Sequence, residues 1–288
     1  MLSAVILRIS FMNHTYLFSD MDGTLLNSGG KVSAANAEAI REFQAAGGRF
    51  AVATGRSELI TLPCLDGVEP NFPCILFNGA AVYDFGEKRF LMRMALAPDV
   101  VKRIADTALS VYPEVCIEAF TEGPHRLFNR NGVEDHLAAA ENQPRIYEDY
   151  DPEKEYVKLL LYGENASLVK VAEAIAPFSE GNFHAVFSQP FYLEILPAGC
   201  SKGKALRWII ENLNVSTAET AAIGDFDNDA EMIHAADLGA APGNGSEQAV
   251  ASAEVVVADN DHDAVAELIR SYILDETASP AQSARHGD

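Results

Sequence analysis

Short apolar runs that each stop on a polar turn constrain this chain more than any other feature. Residues 15–19 (TYLFS) read as a buried strand that ends in Asp20-Met21-Asp22-Gly23-Thr24. Residues 31–48 follow as a helix, with Ser33 as its N-cap, Ile40 and Phe43 on one face and Gly47 placed to stop it. Residues 49–53 (RFAVA) form a second strand, ending in Thr54-Gly55-Arg56, and residues 74–77 (CILF) a third, ending in Asn78-Gly79. Strand, helix, strand with polar groups at each strand end is the pattern of a parallel α/β sheet. In such sheets ligands bind beyond the carboxyl ends of the strands.

The same style returns late in the chain. Residues 201–212 read as a helix, with Leu206, Ile209, Ile210 and Leu213 at i, i+3, i+4, i+7 spacing. Residues 220–224 (TAAIG) form a strand ending in Asp225, residues 228–236 a short helix, 238–241 and 254–258 two short strands, and 263–274 a closing helix. The middle differs. Helices are expected over 99–111, 133–140 and 166–176, and strands over 114–120, 126–129, 156–162, 183–188 and 192–195, the last two joined at Gln189-Pro190. This is an α+β module inserted between two halves of the parallel domain. The expected division is a first core part at 1–84, an inserted module at 85–195, a second core part at 196–275 and a disordered tail at 276–288. Residues 1–11 read as a dispensable leader, since the first strand starts just after a second methionine, Met12.

A chain of 288 residues with 48% apolar and 22% charged residues has material for one large core or two smaller ones. Asp plus Glu number 42 against 21 Lys plus Arg, a formal charge of −21. Such a chain repels nucleic-acid phosphates and anionic membrane faces. A small anionic substrate would need local cations or a metal ion. Cys64, Cys74, Cys116 and Cys200 have no CxxC spacing and read as reduced, mostly buried thiols of a cytoplasmic protein. No apolar run approaches the ~20 residues of a membrane-spanning helix.

The strand ends carry the chemistry. Asp20 and Asp22 close one strand and Thr54 the next; Lys202 opens a helix; Asp225, Asn228 and Asp229 follow a late strand. Each alone has a plain explanation, because Asp and Asn make turns and cap helices. Together they assemble two functions. Carboxylates from strand ends far apart in sequence supply oxygen ligands suited to Mg²⁺. A hydroxyl, a lysine and helix N-termini supply a cradle for phosphate.

These residues resemble the signature of the haloacid dehalogenase superfamily of phosphotransferases, and within it the Cof-type phosphatases with a type IIB cap. The family's DxDGT is similar to Asp20-Met21-Asp22-Gly23-Thr24, its Thr or Ser closing the next strand to Thr54 in ATGR, its lysine motif to Lys202 in EILPAGCSKGKAL, and its GDxxND to Gly224–Asp229. The resemblance covers roughly residues 15–275. It implies a Rossmann-like parallel-sheet core with an inserted α+β cap domain. It implies Asp20 as the nucleophile that becomes an aspartyl phosphate, and Asp22 as the general acid and base. Mg²⁺ would be held by the Asp20 side chain, the Asp22 backbone carbonyl and Asp225, with Asp229 a weaker ligand or a support behind them. Thr54, the Gly55 amide, Lys202 and Asn228 would hold phosphate oxygens, with Arg56 and Asn78 beside them in the substrate-binding set.

One stretch departs from the family pattern. Where the family tends to N-x-x-D-G-V-A, this chain has Asn260-Asp261-His262-Asp263-Ala264-Val265-Ala266. Alanine in place of glycine predicts a different bend and puts the roles of Asn260 and Asp263 in question; His262 reads as a solvated loop residue. Asn78-Gly79 reads either as an entrance lining or as a plain tight turn.

The expected activity is Mg²⁺-dependent hydrolysis of small phosphorylated metabolites, with sugar phosphates first. A phosphomutase uses the same two aspartates and is the alternative. A phosphoacceptor signalling domain also uses a strand-end aspartate, but it needs no cap. The cap should choose the substrate, with Glu118, His125, Arg126, Asn129 and Arg130 as its polar candidates. Oligomeric state and the identity of the substrate are not legible in the sequence.

Overall fold

The computed structural model describes residues 14–130, 132–136 and 144–274. The expected leader, the second half of the helix expected at 133–140 and the expected tail lie outside the described residues. Those described fall into two compact units, one of residues 14–53, 64–74 and 206–274, the other of 54–63 and 75–205. The second unit thus takes in more of the chain than the insertion expected at 85–195.

The first unit is built on a parallel sheet. Its strands β1 (Tyr16–Ser19), β2 (Arg49–Val52), β12 (Thr220–Ile223), β13 (Leu238–Pro242) and β14 (Val255–Val257) lie in the order β14-β13-β12-β1-β2. β1 is an interior strand, with Leu17 in register with Phe50 on one side and Ala221 on the other. Leu17 and Phe18 are fully buried, as are Phe50 and Ala221. That explains the unbroken apolar runs: a parallel sheet covered on both faces has no polar side. Helix Ala34–Ala45 buries Ala39, Ile40 and Phe43, and its N-cap Ser33 accepts from the Asn36 amide at 3.1 Å. Asn36, wholly buried, accepts from the Ala266 amide at 2.8 Å and so ties this helix to the closing helix Ala264–Leu268. The chain leaves β1 for β2 on one side and returns to β12 on the other. The ends of β1 and β12 are therefore a topological switch point, where such sheets bind ligands.

The second unit has a sheet of order β10-β11-β9-β6-β7-β8, from β6 (Cys116–Phe120), β7 (His125–Leu127), β8 (Arg145–Tyr147), β9 (Lys158–Tyr162), β10 (Phe183–Gln189) and β11 (Tyr192–Pro197). β6, β9, β11 and β10 are antiparallel neighbours. Helices Pro98–Val111 and Asn165–Ile175 bring Val101, Ile104, Leu168 and Val171 to a buried cluster with Ile117, Leu159, Leu161 and Ile195 from the strands. A smaller sheet joins β3 (Cys74–Leu76), β4 (Ala81–Asp84) and β5 (Arg89–Arg93).

The α/β class and most of the longer elements match the expectations, with ends shifted by one to three residues. The β4–β5 hairpin, β8 and the helices Glu58–Cys64 and Glu247–Ser252 were not expected. Cys74, Cys116 and Cys200 are buried thiols and Cys64 is half-buried. Among the described residues no helix is long and apolar enough to cross a membrane.

Candidate active site

In the first unit, hydrogen bonding and close backbone approach build one carboxylate cluster. The Asp20 amide donates to the Ile223 carbonyl at 2.9 Å, so the β1–β12 ladder runs one residue past the strand and fixes Asp20 at its end. Ser19 Oγ donates to the Asp20 carbonyl at 2.7 Å. Asp225 follows β12 after a single glycine, and Thr24 Oγ1 donates to its Oδ1 at 2.9 Å. Gly23 is required twice over. Its φ is +82°, and a Cβ there would meet Asp225 Oδ2 at 2.4 Å. Asp229 is buried, and its Oδ2 accepts from the Phe226 amide at 3.1 Å. A Cβ on Gly224 would stand 2.4 Å from Asp229 Cβ, so only glycine lets that carboxylate approach.

Asp20, Asp225 and Asp229 each offer one carboxylate oxygen, and the three oxygens lie within 4.8 Å of one another. Two like charges at about 4 Å repel by roughly 4 kcal/mol at an effective dielectric near 20. A divalent cation removes that repulsion. The donor set is all carboxylate oxygen, with no thiolate or imidazole among the three, which suits a hard cation such as Mg²⁺. Asp22 and Asn228 are exposed and outside this cluster. Two supports had no sequence signal of their own: Asn244 Nδ2 donates to the Gly23 carbonyl at 2.8 Å, and the Ser246 amide donates to the Asp225 carbonyl at 2.7 Å.

Asn260 and Asp263 keep structural tasks despite the missing glycine. Asp263 itself adopts φ +66° and accepts from Ser33 Oγ at 2.5 Å, while Asn260 Nδ2 donates to the Leu26 carbonyl at 2.9 Å. His262 is exposed on Asp259 at 2.7 Å, which raises its pKa.

The remaining expected site residues, Thr54, Gly55, Arg56, Asn78 and Lys202, belong to the second unit. Thr54 is buried; its amide donates to the Ile75 carbonyl at 2.9 Å, and its Oγ1 accepts from the Arg56 amide at 3.2 Å. Phe77, Asn78 and Gly79 make a 3₁₀ turn with φ of +51°, +54° and +95°. The Asn78 amide donates to the Thr54 carbonyl at 3.0 Å and the Phe77 amide to the Arg56 carbonyl at 3.2 Å. A Cβ on Gly79 would stand 2.1 Å from the Ser201 carbonyl oxygen and 2.8 Å from the Lys202 nitrogen. This one strained turn therefore lies against both the Thr54–Arg56 segment and the start of helix Lys202–Asn212. Lys202 is itself buried.

The polar cap candidates are mostly held within the second unit. His125 Nε2 lies 3.2 Å from Ser57 Oγ, and its Nδ1 lies 3.6 Å from Glu118 Oε2. Arg145 donates to Glu118 Oε1 at 3.1 Å. Arg126 pairs with Glu148 at 2.6 Å and Asn129 donates to the Pro113 carbonyl at 2.8 Å. Arg130 stacks 5.0 Å from the Tyr147 ring centre.

A parallel α/β unit with carboxylates gathered at its switch point, interrupted by an α+β unit, defines the class. Residues 17–269 match the family of haloacid dehalogenase-like hydrolases, and the chain belongs to that family. Among its relatives is "Endoribonuclease YBEY, chloroplastic" of Arabidopsis thaliana, 32% identical over an alignment of 282 residues that covers 92% of this chain and 48% of that protein. The chain thus spans about half the length of that relative. It is 29% identical over 289 residues to the "5-amino-6-(5-phospho-D-ribitylamino)uracil phosphatase YwtE" of Bacillus subtilis, covering 90% of this chain and 96% of that one. A solved haloacid dehalogenase-like hydrolase from Bacteroides thetaiotaomicron superposes with a TM-score of 0.82 at 26% identity, covering 90% of this chain and 99% of the other.

Proposed function

We propose that this hydrolase is a Mg²⁺-dependent phosphatase of the cytoplasm that acts on small phosphorylated metabolites, sugar phosphates first. The observation that carries the reading is the set of three carboxylate oxygens within 4.8 Å at the ends of β1 and the strand beside it. Asp20, Asp225 and Asp229 would hold the metal, with the Asp22 carbonyl as a further ligand. When bound, the metal supplies positive charge against the phosphoryl oxygens.

The chain's own groups do the rest. Asp20 Oδ attacks phosphorus while the bond to the ester oxygen breaks, and Asp22 gives its proton to the departing alcohol. Water then attacks the aspartyl phosphate, its proton passes to Asp22, and the Asp20–phosphorus bond breaks to release phosphate. The family resemblance assigns Thr54, the Gly55 amide, Lys202 and Asn228 to the non-bridging oxygens. Lys202 supports this role by its place. A buried ammonium in the first turn of a helix opposes the dipole, a cost that a bound phosphate dianion offsets. The name of the Bacillus subtilis relative, a phosphatase for a phosphorylated ribityl compound, supports substrates that carry the phosphate on a polyol.

The test separates the two aspartates. Asp20→Asn removes the attacking oxygen, so no adduct forms. Asp22→Asn keeps it and loses the proton carrier. An aryl phosphate needs little protonation of its leaving group, so this variant should accumulate a phosphorylated protein. Acid–base help is typically worth about 10²–10⁴-fold, so dephosphorylation slows enough to trap it. Intact mass after mixing with aryl phosphate and Mg²⁺ should show the adduct on Asp22→Asn alone. An adduct on Asp20→Asn, or wild-type turnover by Asp22→Asn, overturns the assignment. Release of free phosphate without a bisphosphate activator distinguishes hydrolysis from a mutase reaction.

A further inference from the structure

A buried ion pair stands beside the Thr54-Gly55-Arg56 turn. Lys158, which opens β9, and Glu194, on the neighbouring β11, are 5% and 9% exposed. Lys158 Nζ lies 2.9 Å from Glu194 Oε2. The same ammonium lies 3.5 Å from the Gly55 carbonyl oxygen, to which it donates, and 5.3 Å from the Phe120 ring centre. Glu194 Oε2 also accepts from Asn78 Nδ2 at 3.4 Å. The Asn78 amide group in turn sits 3.0 Å from where a Cβ on Gly55 would be. Lys158 thus holds the carbonyl of the peptide joining Gly55 to Arg56, Glu194 holds Lys158, and the Asn78 amide group, bonded to Glu194, packs beside Gly55.

The orientation of that peptide decides what the Thr54 hydroxyl can do. In a trans peptide the C=O and N–H point in opposite directions. With the Gly55 carbonyl drawn toward Lys158, the Arg56 N–H faces the other way, and it donates to Thr54 Oγ1 at 3.2 Å. A hydroxyl has one proton and two acceptor sites. With the Arg56 amide on one acceptor site, the hydroxyl keeps its proton and a second acceptor site; an anion can only accept, so it takes the proton, and the Arg56 amide holds the hydroxyl oxygen in place. Glycine at position 55 makes this peptide easy to flip, so the orientation needs an external hold.

We propose that Lys158 and Glu194 are positioning residues: they fix the Gly55–Arg56 peptide so that Thr54 acts as a hydrogen-bond donor to a substrate phosphate oxygen. A buried lysine–glutamate pair is a poor stabiliser compared with apolar side chains of the same volume. An orienting task explains its presence where a stabilising one does not. The inference rests on the phosphatase reading of Thr54 given above.

The test is a double-mutant cycle on the full chain with p-nitrophenyl phosphate and Mg²⁺, reading kcat/KM and competitive inhibition by inorganic phosphate. Lys158→Met and Glu194→Gln should each weaken phosphate inhibition and lower kcat/KM by about tenfold, the scale of one charge-assisted hydrogen bond. Lys158→Arg should restore most of the loss. In a Thr54→Ala background, Lys158→Met and Glu194→Gln should each cost less than about twofold more, because they act through Thr54. Should Lys158→Met fail to fold, the isosteric Glu194→Gln completes the cycle. Losses that multiply independently with Thr54→Ala, or unchanged phosphate inhibition in both variants, overturn the inference alone. A wild-type chain that releases no phosphate from any ester tested overturns the phosphatase reading and the inference with it.

Discussion

Glu58 shows how far a single side chain's role depends on its surroundings. Its Oε1 accepts from the Gly123 amide at 3.1 Å, while Oε2 is buried without a hydrogen-bond partner. Burial pushes its pKa above the usual carboxylate value of 4.5, and the two amide bonds only partly oppose that. A carboxyl with a raised folded pKa lends stability that is fully present below pH 4.5 and is lost as pH rises through its folded pKa. Glu58→Gln removes that titration and keeps an acceptor for Gly123. Its melting temperature relative to wild type should therefore climb between pH 4.5 and 7.5; a flat difference across that range would contradict this. Nothing in the sequence singled out Glu58, because a glutamate near a helix start is ordinary. Asp20, Asp225 and Asp229 were legible for the opposite reason. They sit in strings of residue types that a plain turn does not need. Lys158 looks like an ordinary strand residue and Glu194 opens the stretch that carries the Lys202 motif, but only the pairing of β9 with β11 brings the two together.

Single elements were read best where they were long or capped. Helix Ala34–Ala45 announced itself through Ser33, Ile40, Phe43 and Gly47, all of which take the expected places. Ser33 does more than cap, since its hydroxyl also reaches Asp263 at 2.5 Å near the closing helix. Ser33→Ala should cost about 1–2 kcal/mol in urea unfolding, the upper part of the range for a lost N-cap. A cost below about 0.5 kcal/mol would place the cap's energy elsewhere. The elements missed are short. β8 has three residues, and helix Glu58–Cys64 has seven with Pro63 inside it. Such segments carry too few residues for a 2.0 or 3.6 period to show. The β4–β5 hairpin turns on Asp84, whose Oδ1 accepts from the Gly86 and Glu87 amides at 2.8 and 3.0 Å. That is a local signal, an Asx turn, which the apolar pattern around it did not display.

Across the molecule the charge of −21 and the carboxylate cluster make one argument. A cation that binds the folded state but not the unfolded chain raises stability by mass action, about 2.7 kcal/mol at a hundred times its dissociation constant. Millimolar Mg²⁺ should raise the melting temperature beyond the effect of NaCl at equal ionic strength, and EDTA should reverse it. Asp225→Asn should abolish the excess. An equal rise with both salts would mean that general screening, not a site, is responsible. A phosphate-release screen over sugar phosphates, nucleotides and cofactor phosphates belongs to the same scale, because substrate choice is set by how the whole binding surface is composed.

What the sequence determined by itself is what covalent neighbours determine. Apolar runs of four or five residues, the glycines of the turns and Ser33 as a cap specify strands, turns and a helix start through local sterics and hydrogen bonding. The motif residues Asp20, Thr54, Lys202 and Asp225 mark the family by their types and order. What only the tertiary structure decided is which distant groups share a space. β1 pairs with β12, Tyr16 with Thr220, although most of the chain lies between them, and that pairing puts Asp20 with Asp225. Gly23 is a glycine because the carboxylate of Asp225, from the far end of the chain, fills the volume of its missing side chain. Lys158 meets Glu194 through a sheet whose register no single strand encodes, and meets the Gly55 carbonyl from a part of the chain 103 residues away. Local sequence fixes the conformation of a segment; which segments pair is fixed by burying apolar surface from many of them at once, and a chain read residue by residue does not display that sum.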